Sequence, residues 1–228
     1  MKKILFLIIV GVGTILVATA VPANALIFEL DEEYTGGAEP LGPSPWLTAT
    51  FDDIGDNQVR LTLDASGLSD DEFVSGWYFN FNFEVSPDWF APAVDSGPSY
   101  VIGSGIGSNN YNAGSTMGHG FDIFFQFETA DNSDKRFTAG EVAVYTLELP
   151  AGTSPELIPE SFNLKNEAGY FYSAAHVQDI DNPDFETDSG WIGAERSIAA
   201  IPEPATIILI GTGLASLFCI RRFRFKNN

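Results

Sequence analysis

Two sets of residues in this chain have the types and spacing to do chemistry. The first is acidic. Asp179, Asp181, Asp184, Glu186 and Asp188 fall within ten residues, and Glu195 stands eleven places after Asp184, the first-to-last spacing of an EF-hand loop. Such carboxylates are hard oxygen donors suited to calcium. The match to that loop is poor, because its sixth position is Ser189 with the glycine one place late at Gly190, and Pro183 and Trp191 argue against flanking helices. Asp52, Asp53 and Asp56, and Asp70, Asp71 and Glu72, are further oxygen-rich turns. Each cluster reads either as a calcium site or as a solvated turn. The second set is aromatic. Trp89, Phe90, Tyr100 and Tyr111 surround the run Gly103–Gly114, and Trp89 and Tyr111 are candidates for stacking on the apolar faces of sugar rings. The same rings would equally cap the open end of a β-sandwich.

Other chemistries find little support. Gly103-Ser-Gly105-Ile-Gly107 opens no helix and precedes no Lys-Ser/Thr pair, so it does not read as a phosphate cradle. The single cysteine, Cys219, lies in the C-terminal apolar run, and no Gly-x-Ser-x-Gly occurs. His119 and His176 have no spacing to each other or to carboxylates that a zinc site would need. A secreted glycoside hydrolase needs two facing carboxylates, and no pair is singled out by the sequence. The expectation is a protein that is not an enzyme and holds no cofactor, calcium excepted.

The elements that would position these residues read as all-β. Phe79, Phe81, Phe83 and Val85 alternate with Asn80, Asn82 and Glu84, which predicts a strand over Gly76–Val85 with one buried face. Val59, Leu61 and Leu63 alternate with Arg60, Thr62 and Asp64, and Phe121, Ile123, Phe125 and Phe127 with Asp122, Gln126 and Glu128. In Glu141–Pro150 the apolar phase slips, which predicts a β-bulge or a strand changing sheets. Trp46–Asp52, Ser161–Lys165 and Tyr170–Val177 are weaker strand candidates, and Pro87–Gly120 reads as one long loop. The predicted fold is an antiparallel two-layer β-sandwich, jelly-roll or cohesin-like. An N-terminal signal helix and a C-terminal transmembrane helix are expected to flank it.

Charge narrows the partners. Of the 31 acidic residues all but Glu203 lie between residues 26 and 200, where Arg60, Lys135, Arg136, Lys165 and Arg196 are the only basic ones. Five against thirty leaves that stretch at −25. Such a surface repels phosphate backbones, which excludes nucleic acid.

The ends read as sorting segments. Lys2 and Lys3 precede the apolar run Ile4–Ala20, and Ala23-Asn24-Ala25 is the small-x-small pattern accepted by signal peptidase. A signal peptide over 1–25 hands the chain to the general secretion machinery, with an uncleaved anchor as the alternative. At the other end, Pro202-Glu203-Pro204 precedes the uncharged run Ala205–Ile220, and Arg221, Arg222, Arg224 and Lys226 follow. Sixteen helical residues rise about 24 Å, a little short of a hydrocarbon layer of about 30 Å that snorkelling arginines can make up. Basic residues outside both runs place both tips in the cytoplasm and the acidic middle across the membrane.

This tail resembles the PEP-CTERM sorting signal of exopolysaccharide-producing Gram-negative bacteria. Pro202, Glu203 and Pro204 match its motif, Ala205–Ile220 its helix, and Arg221, Arg222 and Arg224 its basic stop. Ile201 stands where Val is frequent. The resemblance implies domains at 1–25 (signal peptide), 26–200 (exported sandwich) and 201–228 (sorting tail, with basic stop 221–226). It also implies a precursor anchored in the inner membrane, an exosortase-type processing enzyme as partner, and a mature protein at the cell surface or outside the cell. A non-enzymatic surface or matrix protein associated with exopolysaccharide or biofilm is the expected function; a carbohydrate-binding module is the alternative.

Overall fold

The computed structural model of the chain describes residues 25–55, 57–82, 93–96, 101–130, 135–148 and 160–199. Among them every regular element except two short 3-10 turns is a strand. One sheet contains β1 (Ala25–Leu30), β3 (Leu47–Gly55), β4 (Gln58–Asp64), β6 (Ala93–Ser96), β10 (Val142–Glu148) and β13 (Ser197–Ala199), in the order β13-β1-β3-β4-β10-β6. The other contains β2 (Glu32–Glu33), β5 (Phe73–Phe79), β7 (Val101–Asn112), β8 (His119–Phe127), β11 (Ser173–Gln178) and β12 (Ser189–Ala194). Its order is β2-β12-β11-β5-β8-β7, with the short β9 (Phe137–Thr138) also pairing β5. Neighbouring strands run antiparallel throughout, as in β1 against β3 and β5 against β8.

Period-two alternation explains which faces are buried. In β4, Val59, Leu61 and Leu63 are fully buried while Arg60 is exposed; in β3, Leu47, Ala49 and Phe51 point the same way. Opposite them stand Trp77 and Phe79 of β5 and Phe125 and Phe127 of β8. The layers interlock through rings: Phe51 meets Phe79 edge-on with centroids 5.1 Å apart, and Phe125 lies 5.3 Å from Tyr145. Each such buried side chain contributes about 1.5–3 kcal/mol of hydrophobic stabilisation, which suits a domain without a disulfide. The all-β, antiparallel expectation therefore holds. The flanking helices expected over 1–25 and 205–220 lie outside the described residues, within which no helix is long and apolar enough to cross a membrane.

Four local readings are changed or sharpened. The stretch expected as a strand over Gly76–Val85 is β5, which begins earlier and ends at Phe79. Asn80, expected to face water, is buried, and residues 83–85 lie outside the described set. Ser161–Lys165 is not a strand: Glu160–Phe162 forms a 3-10 turn that drives Phe162 into the core, stacked 4.2 Å from Phe51 and 4.6 Å from Phe81. A plug of this kind makes its energy by packing rather than by a hydrogen-bond ladder. The phase slip in Glu141–Pro150 resolves into one continuous register with β4, in which Ala143, Tyr145 and Leu147 face inward and Val142 and Val144 outward. The expected bulge is present on the other edge, where the pairing with β6 shifts between Val144 and Tyr145.

The fourth change matters most. Pro87–Gly120 is not one loop, because it contains β6 and the twelve-residue β7. Its glycines allow this by giving neighbouring rings room against the backbone. A Cβ on Gly105 would stand 2.6 Å from both the Phe124 ring and the Tyr111 hydroxyl.

Candidate functional site

The sheet containing β5, β8, β11 and β12 carries aromatic residues on both faces. Inward-facing Trp77 and Ala175 belong to the core between the sheets. On the outer face Phe121, Phe171, Ala113 and Ala174 form a second buried cluster, against which Tyr34, Tyr78, Tyr111, Met117 and Trp191 pack half-buried. Tyr34 stacks on Phe171 at 4.3 Å and donates from its hydroxyl to the Ala113 carbonyl at 2.8 Å. Buried Asn166 ties this side together. Its Nδ2 donates to the carbonyls of Met117 and His119, and its Oδ1 accepts from the amides of Tyr170 and Phe171.

Beside that cluster lies an open cleft of about 450 Å³. Its walls are rings with polar edges. His176 stacks on Trp191 at 4.5 Å, Tyr78 lies 5.6 Å from Trp191, and Tyr111 lies 4.5 Å from Phe124. Gly114, at φ +76°, runs directly beneath the indole: a Cβ there would meet Trp191 ring atoms at 2.6 Å. The Ser75 hydroxyl holds His176 Nδ1 at 2.9 Å, and burial pushes the His176 pKa below its ordinary value, which keeps the ring neutral at pH 7. Burial likewise raises the pKa of Tyr78 and of Tyr111, so both stay phenols.

The edge of the cleft is a bulge in β7. Ile106 pairs with Ile123 and Tyr111 with Phe121, so five steps along β7 match two along β8 and the intervening residues bow outward. Asp122 holds the bow. Its Oδ1 accepts from the amide of Asn109, at φ +53°, at 2.7 Å, and its Oδ2 from the amide of Phe81 at 2.9 Å. The alternation in residues 121–128 suggests a water-facing Asp122, but these two amides bury it. The bulge presents Asn110 and Tyr111 to the cleft, joining Gln126 and Gln178.

Twelve residues line this cleft and none is Asp, Glu, Lys or Arg. Three other depressions among the described residues differ: one is lined by Asp70, Asp71, Glu72, Asp179, Asp181 and Asp188, one by Glu29, Asp31 and Glu195 with Lys165 and Arg196, and one by Asp181, Glu186 and Asp188. Charge stands just behind the lining: Glu33 Oε1 accepts from the Trp191 amide at 3.3 Å, Asp122 Oδ1 from the Asn109 amide, and beyond Thr129, whose carbonyl accepts from Arg136 Nη2, Nη1 pairs with Asp179 at 2.9 Å. Chemically, the cleft can stack flat apolar faces and hydrogen-bond hydroxyls.

Of the residues singled out by sequence, Tyr111 lies in this cleft, on a strand rather than a loop, and Trp89 lies outside the described residues. Trp191, Tyr78 and His176 come from strands far apart in sequence and carry no linear signal. Asp179, Asp181, Asp184, Glu186 and Asp188 are all exposed around the turn between β11 and β12, and Asp179 and Asp188 approach the Asp70-Asp71 turn across one depression. Among the described residues no three His, Cys, Asp or Glu side chains are placed to hold a metal ion. Glu72 is structural: buried, it accepts from the amides of Leu41 and Ser69 at 2.7 and 2.8 Å. His119 pairs with Glu167 at 3.1 Å on the exposed surface. Pro202, Glu203, Pro204, Arg221, Arg222 and Arg224 lie outside the described residues.

Comparison with known families places a match on that tail. The model of the PEP-CTERM protein-sorting motif matches residues 200–222, beginning one residue after β13 ends. No curated protein and no solved structure matches the chain. The match spans the proline-flanked glutamate, the whole apolar run and the first two arginines, so the chain carries the PEP-CTERM sorting signal of an exported exosortase substrate.

Proposed function

We propose that this is a non-enzymatic surface or extracellular-matrix protein, delivered by exosortase processing of its tail and retained in exopolysaccharide. The observation that carries the reading is the sorting motif over 200–222, which ends at a basic stop. In the precursor, residues 205–220 anchor the chain in the inner membrane with Arg221, Arg222 and Arg224 on the cytoplasmic side. Signal peptidase removes 1–25, the exosortase acts near Glu203, and the sandwich is left outside. The lining of the aromatic cleft has no carboxylate to act as general acid or nucleophile in glycoside hydrolysis, so that cleft fits binding better than hydrolysis.

Mass spectrometry of the extracellular protein tests the reading. The expected mature chain begins at Leu26 and lacks peptides spanning Glu203–Phe225; an intact tail in that fraction would overturn it. Replacing Arg221, Arg222 and Arg224 together by Ala leaves Lys226 alone to hold the tip, and unprocessed precursor should accumulate.

A further inference from the structure

We propose that the outer face of the second sheet, at Tyr78, Tyr111 and Trp191, binds a neutral polysaccharide chain. The inference rests on the matrix reading above and deepens it by naming the class of partner and the site that holds it.

Three observations converge on this occupant. The rings form a connected aromatic wall: His176 is stacked on Trp191, Tyr78 lies beside it, and Tyr111 is braced on Phe124 across Gly105. Pyranose rings present patches of C–H bonds that pack on such surfaces, and supported rings lose little freedom on binding. The polar groups around them are also free. Among the described residues, the side-chain amides of Asn110, Gln126 and Gln178 and the indole N–H of Trp191 make no hydrogen bond within the protein. An amide offers both donors and an acceptor, the complement of a sugar hydroxyl. The third observation is electrical. On a chain of net charge −20 this cleft is lined without a carboxylate, whereas three other depressions of the described residues are lined with them. A cationic ligand would find no carboxylate among the lining residues to pair with directly, and the surrounding negative field repels uronate or sulfate polymers. A neutral hydroxylated chain fits both conditions. An open groove also suits the interior of a polymer better than its end.

The bulge of β7 sets the geometry. Asp122 fixes Asn109, which places Asn110 and Tyr111 at the rim opposite Trp191, so Asp122 is a positioning residue for the site.

Affinity electrophoresis of the full chain in a detergent without sugar headgroups tests the proposal. The gels would contain dextran, galactomannan, hydroxyethylcellulose, the neutral polysaccharide of the producing cells, or alginate as the anionic control. Retardation is expected in at least one neutral gel and not in alginate. The Kd should rise about tenfold in Trp191→Ala, the loss of one stacking platform. In Asn110→Ala and Gln126→Ala, whose side chains are exposed, it should rise about threefold with the melting temperature unchanged. No retardation in any neutral gel, retardation that the three variants retain in full, or retardation in alginate alone would overturn the proposal, as would a protein partner that occupies the face while every glycan fails. Tail processing is read separately by mass spectrometry, so the sorting assignment can fail while the cleft binds, or stand while it does not.

Discussion

The rings between the two sheets and the partly exposed rings on the outer face of the second sheet differ in their balance of phenylalanine and polar-edged residues. The interior is mostly phenylalanine, with Phe28, Phe51, Phe79, Phe125 and Phe127 all fully buried. The fully buried indole of Trp77 donates to Ser173 Oγ at 2.9 Å. On the outer face Phe121 and Phe171 are buried, and the partly exposed rings are Tyr34, Tyr78, Tyr111 and Trp191 beside Phe124, with His176 stacked among them. A ring with a polar edge is costly where that edge finds no partner and useful where the edge reaches water or a ligand. The composition of each layer thus reports its surroundings: one is packed shut and the other is open to a hydroxylated partner.

The contrast predicts unequal costs of truncation. Phe51→Ala removes a ring that touches Phe28, Phe79 and Phe162 and should cost about 3–5 kcal/mol in urea unfolding. Tyr111→Ala at the cleft rim should cost under about 1 kcal/mol. Equal losses would show the outer rings to be a second core and nothing more.

Gly114→Ala is the next largest. The left-handed backbone and the 2.6 Å approach to Trp191 should make it cost about 1–2 kcal/mol and move the indole, visible as a shift in tryptophan fluorescence. An unchanged spectrum would mean that the backbone does not seat the ring. Tyr145 is the interior's exception. Among the described residues its buried hydroxyl has no hydrogen-bond partner, and burial raises its pKa, so Tyr145→Phe should gain about 1 kcal/mol of stability. A loss of stability would reveal an unseen partner.

His176 makes the outer face sensitive to acid. Its folded pKa is depressed by burial, so the folded state resists protonation that the unfolded chain accepts near pH 6.5. Stability is then full above that value and declines as pH falls below it, by a fraction of that lost in the truncations. The midpoint difference between wild type and His176→Gln, followed from pH 8 to 5, should shrink as pH falls; a constant difference would remove His176 from the account. The smallest effect concerns the acidic turns. At matched ionic strength calcium and sodium should raise the melting temperature equally, since no three described carboxylates converge on one point. A larger rise in calcium would mark a site completed on binding.

Much of the framework is legible in local pattern. The alternation of Val59, Leu61 and Leu63 specifies β4 and its inward face, because a strand repeats every two residues and needs no knowledge of its neighbours. The same alternation in Leu26, Phe28 and Leu30 builds β1, although the adjoining Ala23-Asn24-Ala25 draws attention to cleavage instead. β7 is hidden by composition. Gly103–Gly114 looks like a loop because glycine is a poor strand former, and the rings that repay its use belong to other strands or lie further along β7.

By itself the sequence determines how this protein is addressed. Pro202-Glu203-Pro204, the apolar run to Ile220 and the arginines act as a linear signal, and net charge is a sum that folding does not alter. Only the tertiary structure decides what the domain can hold. Trp191 of β12 lies beside His176 of β11 through register, and Tyr78 of β5 and Tyr111 of β7 reach the same cleft through sheet order. Strand pairing joins segments a hundred residues and more apart, as β11 to β5 and β1 to β13, and a patch assembled by such pairing leaves no spacing in the chain for a reader to find.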